Sequence, residues 1–136
     1  MSRKKTPRGL LDTTVFIAAE SGRSLKTEAL PEQGAISVVT RAELRAGVLA
    51  ADDIAIRDRR LSTLEFASRI TVLPIDDGVD RAWAQMCAYL AASGRKVNAN
   101  DVWIAATAAA HGIPVVTQDA DFDALSGVAG LTVIEV

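Results

Sequence analysis

The chain has 136 residues, enough for one domain with its own core, and 49% apolar with 24% charged residues is a globular rather than a disordered composition. A formal charge of −2 argues against a strongly basic, nonspecific nucleic-acid binder, although bases gather at Arg3, Lys4, Lys5 and Arg8 and again at Arg57, Arg59 and Arg60. One cysteine, Cys87, and one histidine, His111, exclude a disulfide framework and a multi-cysteine zinc site and leave a histidine triad poorly supported.

Residues 1–7 read as a basic, disordered tail and residues 8–136 as a single domain. Apolar runs at 10–11, 35–39, 70–73, 113–116 and 131–134 are the predicted strands. Helix-length patterns fall near 14–20, 40–51, 53–68, 76–93 and 101–111, with a short one at 119–126. Residues 21–34 read as a short helix or a loop. Strands alternating with helices predict an α/β fold whose parallel sheet is covered on both faces. Thr40 and Glu43 fit a T-x-x-E capping box behind the second strand. Gly94 closes the long helix, and Gly112 with Pro114 closes the Ala-rich one. The most apolar helical stretch, Val102 to Ala110, is far short of the roughly 20 residues that span a bilayer. The basic start is not followed by an export signal, so a cytoplasmic protein without membrane contact is expected.

Asp12 follows the first strand, Glu43 lies one turn into the helix after the second, Asp101 opens the Ala-rich helix, and Asp119 follows the fourth strand. In a parallel sheet the strand-to-helix junctions gather at the carboxyl ends, where open α/β sheets place their ligands. Asp101 belongs to that side if its helix runs antiparallel to the fourth strand, which the short Gly-Ile-Pro connection favours. Taken singly, such acids serve as helix caps or dipole partners. Taken together they repel unless a cation lies among them. Oxygen ligands without histidine or cysteine favour Mg²⁺, with Mn²⁺ as a substitute, over zinc. One or two such ions can activate water and stabilise a phosphodiester transition state.

The motifs "LLDTTVFI", "TRAELRAGV", "NANDVWIAATAAAHGIPVVT" and "TQDADFDAL", in this order, resemble those of PIN-domain ribonucleases, specifically VapC-type toxins of toxin–antitoxin pairs. The resemblance runs from Leu10 to the C-terminus. It implies a three-layer α/β/α sandwich around a parallel sheet of five strands. It further implies Mg²⁺- or Mn²⁺-dependent endoribonuclease activity, on transfer or ribosomal RNA in similar toxins, and a homodimer. A cognate VapB-type antitoxin is implied as well, its C-terminal segment occupying the site groove. On this resemblance Asp12, Glu43, Asp101 and Asp119 are the acidic metal-binding set. Thr13 is the hydroxyl that orients Asp12, with Thr14 in a lesser part, and Thr117 is the hydroxyl before the fourth acid. Asp121 is the alternative to Asp119 or a supporting group, and Asp123 is solvated.

Arg41 and Arg45 are candidates for guiding RNA phosphates. Trp103 reads as core or dimer contact, Cys87 as a small buried hydrophobe, and His111 as a residue at its helix's C-terminal end. The rival functions are a non-catalytic PIN-like RNA-binding module, an RNA-maturation or structured-DNA nuclease, and a response-regulator-like domain. The first would have lost one of the acids. The last would need a lysine late in the chain, and none follows Lys96.

Overall fold

In the computed structural model, which describes residues 5–136, β1 (Arg8–Leu11) is the middle strand of a five-stranded, wholly parallel sheet. It is followed by α1 (Thr13–Glu20), β2 (Gln33–Ser37), α2 (Val38–Ala50), α3 (Ile54–Ser68) and β3 (Thr71–Leu73). Then come α4 (Asp77–Ser93), α5 (Ala99–Ala110), β4 (Val115–Thr117) and β5 (Val133–Glu135). The spatial order β3-β2-β1-β4-β5 puts the first half of the chain on one side of β1 and the second half on the other. The sheet order therefore reverses between β1 and β4, the position at which open α/β sheets bind ligands.

Alternation along β1 divides the core. Leu10 packs with Val79, Met86, Ile104 and Phe122 under α4 and α5, whereas Leu11 packs toward Phe16 and Ile36 under α1, α2 and α3. The result is the expected α/β/α sandwich. Few aromatics are available for this core, and close approach substitutes for bulk: Ala105, Ala106 and Ala108 of α5 are fully buried. Gly9 shows how tight the contacts are. A Cβ there would come within 2.8 Å of Val116 Cγ2 and 3.0 Å of Pro31, so the side chains beyond β1 rest on bare backbone.

The predicted elements are all present, with shifted ends. The helix after β2 starts at Val38, two residues earlier than expected, because Ser37 rather than Thr40 is its N-cap: the Ser37 hydroxyl accepts from the Thr40 amide at 3.0 Å. The T-x-x-E capping box is therefore not formed, and Glu43 is free for another use. Residues 21–34 hold only a 3-10 turn at Thr27–Ala29 and the start of β2. The predicted short helix at 119–126 is a 3-10 helix over Ala120–Leu125.

Arg3 and Lys4 of the expected tail lie outside the described residues. The carbonyls of Thr6 and Pro7 accept from the amides of Glu32 and Gln33 at 2.8 and 3.0 Å, so the chain is already tied to the sheet there. Among the described residues no helix is long and apolar enough to cross a membrane.

Candidate active site

Asp12 ends β1 and precedes α1, and its residue is only 1% exposed. It stands at the N-cap position of α1, yet its side chain caps nothing. Instead Oδ2 accepts two hydroxyls, Thr14 Oγ1 and Thr117 Oγ1, each at 2.7 Å. Those hydroxyls are themselves fixed: Thr14 Oγ1 accepts from the Gln118 amide at 3.0 Å, and Thr117 Oγ1 from the Asp119 amide at 2.8 Å. The carboxylate is thus clamped between β1 and β4 through one oxygen. A capping aspartate would have bonded a backbone amide of its helix; this one takes hydroxyls from α1 and from β4.

This corrects the expected division of labour between the two threonines. Thr14, not Thr13, holds Asp12. Thr13 points to α2, donating to Glu43 Oε1 at 2.7 Å and approaching Thr40 Oγ1 at 3.2 Å. The reason is local. The helix turns immediately after Asp12, so residues two apart face β4 while the intervening one faces α2. Glu43 Oε2 accepts from the side-chain Nδ2 of Asn100 at 3.4 Å, which ties α2 to the first turn of α5.

Asp101 lies in that first turn, behind the N-cap Asn98, whose side chain accepts from the Asn100 amide. Partial burial pushes Asp101 up to about 7, and the charges of Asp12, Asp119, Glu43 and Asp121, in falling order, push the same way. One carboxyl therefore senses every acid predicted for the site. Asp119 acts on it more strongly than Asp121, while Asp123 is not among its causes. Asp119 does cap its own 3-10 helix, with Oδ1 accepting from the Asp121 amide at 2.9 Å. Asp121 and Asp123 are exposed.

The donor set is made of oxygens alone, which suits a hard divalent cation. Among the described residues no three of these acids already stand in the geometry that closes on an ion. Asp12 and Glu43 each turn an oxygen toward hydroxyls instead.

Sequence reasoning misses Thr40, Ser37 and Asn100 as parts of the site. Thr40 and Ser37 are fully buried, with their hydroxyls 3.4 Å apart. A run of hydroxyls at a strand end, S-V-V-T, is the available signal. Arg41 and Arg45 stand on α2 beside Glu43, Arg41 half-buried and Arg45 exposed. Trp103 stacks on Trp83 with ring centroids 4.7 Å apart, a contact between α5 and α4. His111 is the C-cap of α5, with Nε2 3.9 Å from Asp76 Oδ2, away from the acids. Cys87 is only half-buried at the edge of the α4–α5 core rather than enclosed by it. A cleft of about 220 Å³ runs from Thr13 and Glu43 past Ile17 and Leu44 to Arg60.

The clamp predicts the behaviour of Thr117→Val. The hydroxyl is lost from a fully buried position, freeing Asp12 and leaving the Asp119 amide without its acceptor. Stability should fall by about 1–3 kcal/mol in denaturant unfolding, and any activity that depends on Asp12 by about 10–100-fold. Full activity in a folded Thr117→Val protein would show that the clamp is not needed.

Residues 9–128 match the family described as PIN domain. Over 128 residues, 94% of this chain and 95% of the relative, the sequence is 53% identical to Ribonuclease VapC5 of Mycobacterium tuberculosis. Identity to Ribonuclease VapC4 of the same organism is 44% over 126 residues, covering 93% and 97%. The crystal structure of VapBC-5 from Mycobacterium tuberculosis, a member of the VapBC family of toxin–antitoxin systems, matches with a TM-score of 0.89 at 50% identity. That match covers 95% of this chain and 98% of that one. Sheet order, carboxylate set and these likenesses agree: the chain belongs to the PIN-domain family, in its VapC group.

Proposed function

We propose that the protein is the toxin of a type II toxin–antitoxin pair, a Mg²⁺- or Mn²⁺-dependent endoribonuclease that hydrolyses phosphodiesters of transfer or ribosomal RNA. The observation that carries this is the placement of Asp12, Glu43 and Asp119 around Asp101, close enough that, behind burial, their charges help raise it to about 7. Its kinship with proteins named ribonucleases supports the reaction class.

In this function Asp12 and Asp101 are the principal ligands, and Glu43 and Asp119 complete or orient the set. A bound divalent ion supplies a nucleophilic water at neutral pH and neutralises charge on the phosphoryl oxygens. The chain's own part is to hold the acids. Thr14 and Thr117 fix Asp12 through Oδ2 and leave Oδ1 without a hydrogen-bond donor among the described residues. Thr13 and Asn100 fix the two oxygens of Glu43. Asp101, ionised when the ion is present, is positioned by the helix turn that Asn98 caps. Water oxygen joins phosphorus, one phosphorus–oxygen ester bond breaks, and the departing oxygen takes a proton. No protein nucleophile is required, which accords with a lone cysteine and a histidine far from the acids.

Arg41 and Arg45 guide RNA phosphates toward Glu43. A VapB-type antitoxin inhibits by laying a segment along the cleft from Glu43 to Arg60; solved VapBC complexes with this fold support the partner. The toxin works as a homodimer in the cytoplasm. Incubation of purified protein with total RNA tests the activity, with new 5′ ends mapped after addition of Mg²⁺ and after EDTA. Discrete, EDTA-sensitive cuts in transfer or ribosomal RNA are expected; the same cuts in EDTA, or none in Mg²⁺, would refute the function.

A further inference from the structure

The amino end of the sheet, opposite the carboxylates, carries a second charged cluster that catalysis does not use. Arg8 pairs in register with Gln33 across β1 and β2, and Ala35 with Thr71 across β2 and β3. Arg69 ends α3 just before β3 and lines the same depression as Arg8 and Gln33, so the three make one row along this edge of the sheet. Parity puts Arg8 and Gln33 on the α4–α5 side, because Leu10 and Ala35, two residues on, are buried there.

All three residues are exposed, and with Gly34 and Thr71 they line a depression of about 390 Å³ that has no acidic residue in its wall. Two arginines of this chain are committed elsewhere: Arg57 and Arg60 donate to the carbonyls of Ala51 and Gly47, both at 2.8 Å. Among the described residues the guanidiniums of Arg8 and Arg69 have neither a hydrogen bond nor an ion pair; the one ion pair there joins His111 and Asp76. Arg69 caps the end of α3, where a cation meets the negative pole of the helix, but that contact explains neither Arg8 nor Gln33. Two uncompensated guanidinium forks beside an amide are the donors that recognise a phosphate bidentately.

The geometry points to a phosphodiester site at the amino end of the sheet, where Arg8 and Arg69 clamp a phosphate of the RNA remote from the scissile bond and Gln33 donates to it. The proposal rests on the ribonuclease function above. A polyanion is repelled by the carboxylate end, so affinity has to come from elsewhere on the surface. From Arg8 to Asp12 the strand rises about 13 Å, a span that one structured RNA covers. Such a contact positions the RNA without reading its sequence.

The test measures binding of a short fluorescein-labelled RNA to the full chain in EDTA across a salt series, comparing wild type with Arg8→Gln/Arg69→Gln. The double variant should bind about tenfold more weakly at low salt, and its log–log salt slope should be shallower by about 0.7 for each phosphate no longer neutralised. Arg8→Gln alone, which touches no helix, should give part of the same change if Arg69→Gln loosens α3. Inorganic phosphate, titrated in parallel by NMR of the arginine Nε–H signals, should perturb Arg8 and Arg69 and be displaced by RNA. Unchanged RNA affinity and slope would overturn the proposal. If phosphate still bound in that case, the row would be a free-anion site instead. Cleavage in Mg²⁺ is a separate readout: wild type that binds RNA through this row but never cuts it would refute the nuclease function alone.

Discussion

Asp12→Asn is expected to lower RNA cleavage by more than about a hundredfold, since removing even the groups behind a metal ligand costs about 10–100-fold. The fold should survive. Asn offers one oxygen that can accept the Thr14 and Thr117 hydroxyls in place of Oδ2, and the hydroxyls can turn to suit it. What is lost is the negative charge at the end of β1, next to β4, where the sheet order reverses. Circular dichroism and thermal unfolding check the fold, and cleavage of total RNA checks the chemistry. Asp123→Asn is the matched control, because that exposed carboxylate is not felt by Asp101; its activity should stay at the wild-type level. Undiminished cleavage by highly purified Asp12→Asn protein would overturn the site.

The second large effect concerns stability against pH in metal-free protein. Burial and the four neighbouring carboxylates raise Asp101 from 3.8 to about 7 in the folded state. Above about pH 7 the group is ionised in both states, and the folded protein carries the full repulsion. Between about 7 and 3.8 the folded state holds a proton that the unfolded chain has released, so stability rises as pH falls through that window. The thermal midpoint in EDTA should therefore climb from pH 8 toward pH 5. Half-exposure of the side chain screens the effect, so the direction is the firm part. Asp101→Asn should raise the midpoint at pH 8 and flatten the profile, although it removes a residue the activity needs. A profile unaltered by Asp101→Asn would mean that the carboxylates do not act on one another as the structure indicates.

Much of this is legible in the sequence because a parallel α/β pattern constrains a whole rim as well as its local elements. Once strands and helices alternate, Asp12 and Asp119 at strand ends and Glu43 just beyond one belong to a single rim; Asp101, which follows a helix, joins them only because the short connection to β4 makes α5 run antiparallel to it. The partners of those acids are harder to read. Thr13 and Thr14 are adjacent hydroxyls, and which one reaches Asp12 depends on where α1 begins, a matter of a single residue. Glu43 reads as a capping-box partner of Thr40 only if the helix starts at Thr40; Ser37 is an equally good cap and lies where β2 ends. Asn100 gains its role only from the distance between α2 and α5, which no local pattern encodes. The row of Arg8, Gln33 and Arg69 is likewise invisible along the chain, since it exists only where the starts of β1 and β2 meet the end of α3.

The measurement that tests the central claim most directly is titration of the protein with Mn²⁺, followed by electron paramagnetic resonance and calorimetry, for wild type and for Asp12→Asn and Asp101→Asn. The carboxylate set predicts saturable binding by wild type, competition by Mg²⁺, a raised thermal midpoint at pH 8, and loss of all three in either variant. Mn²⁺ binding unaffected by both substitutions, or no binding beside EDTA-resistant RNA cleavage, would contradict it.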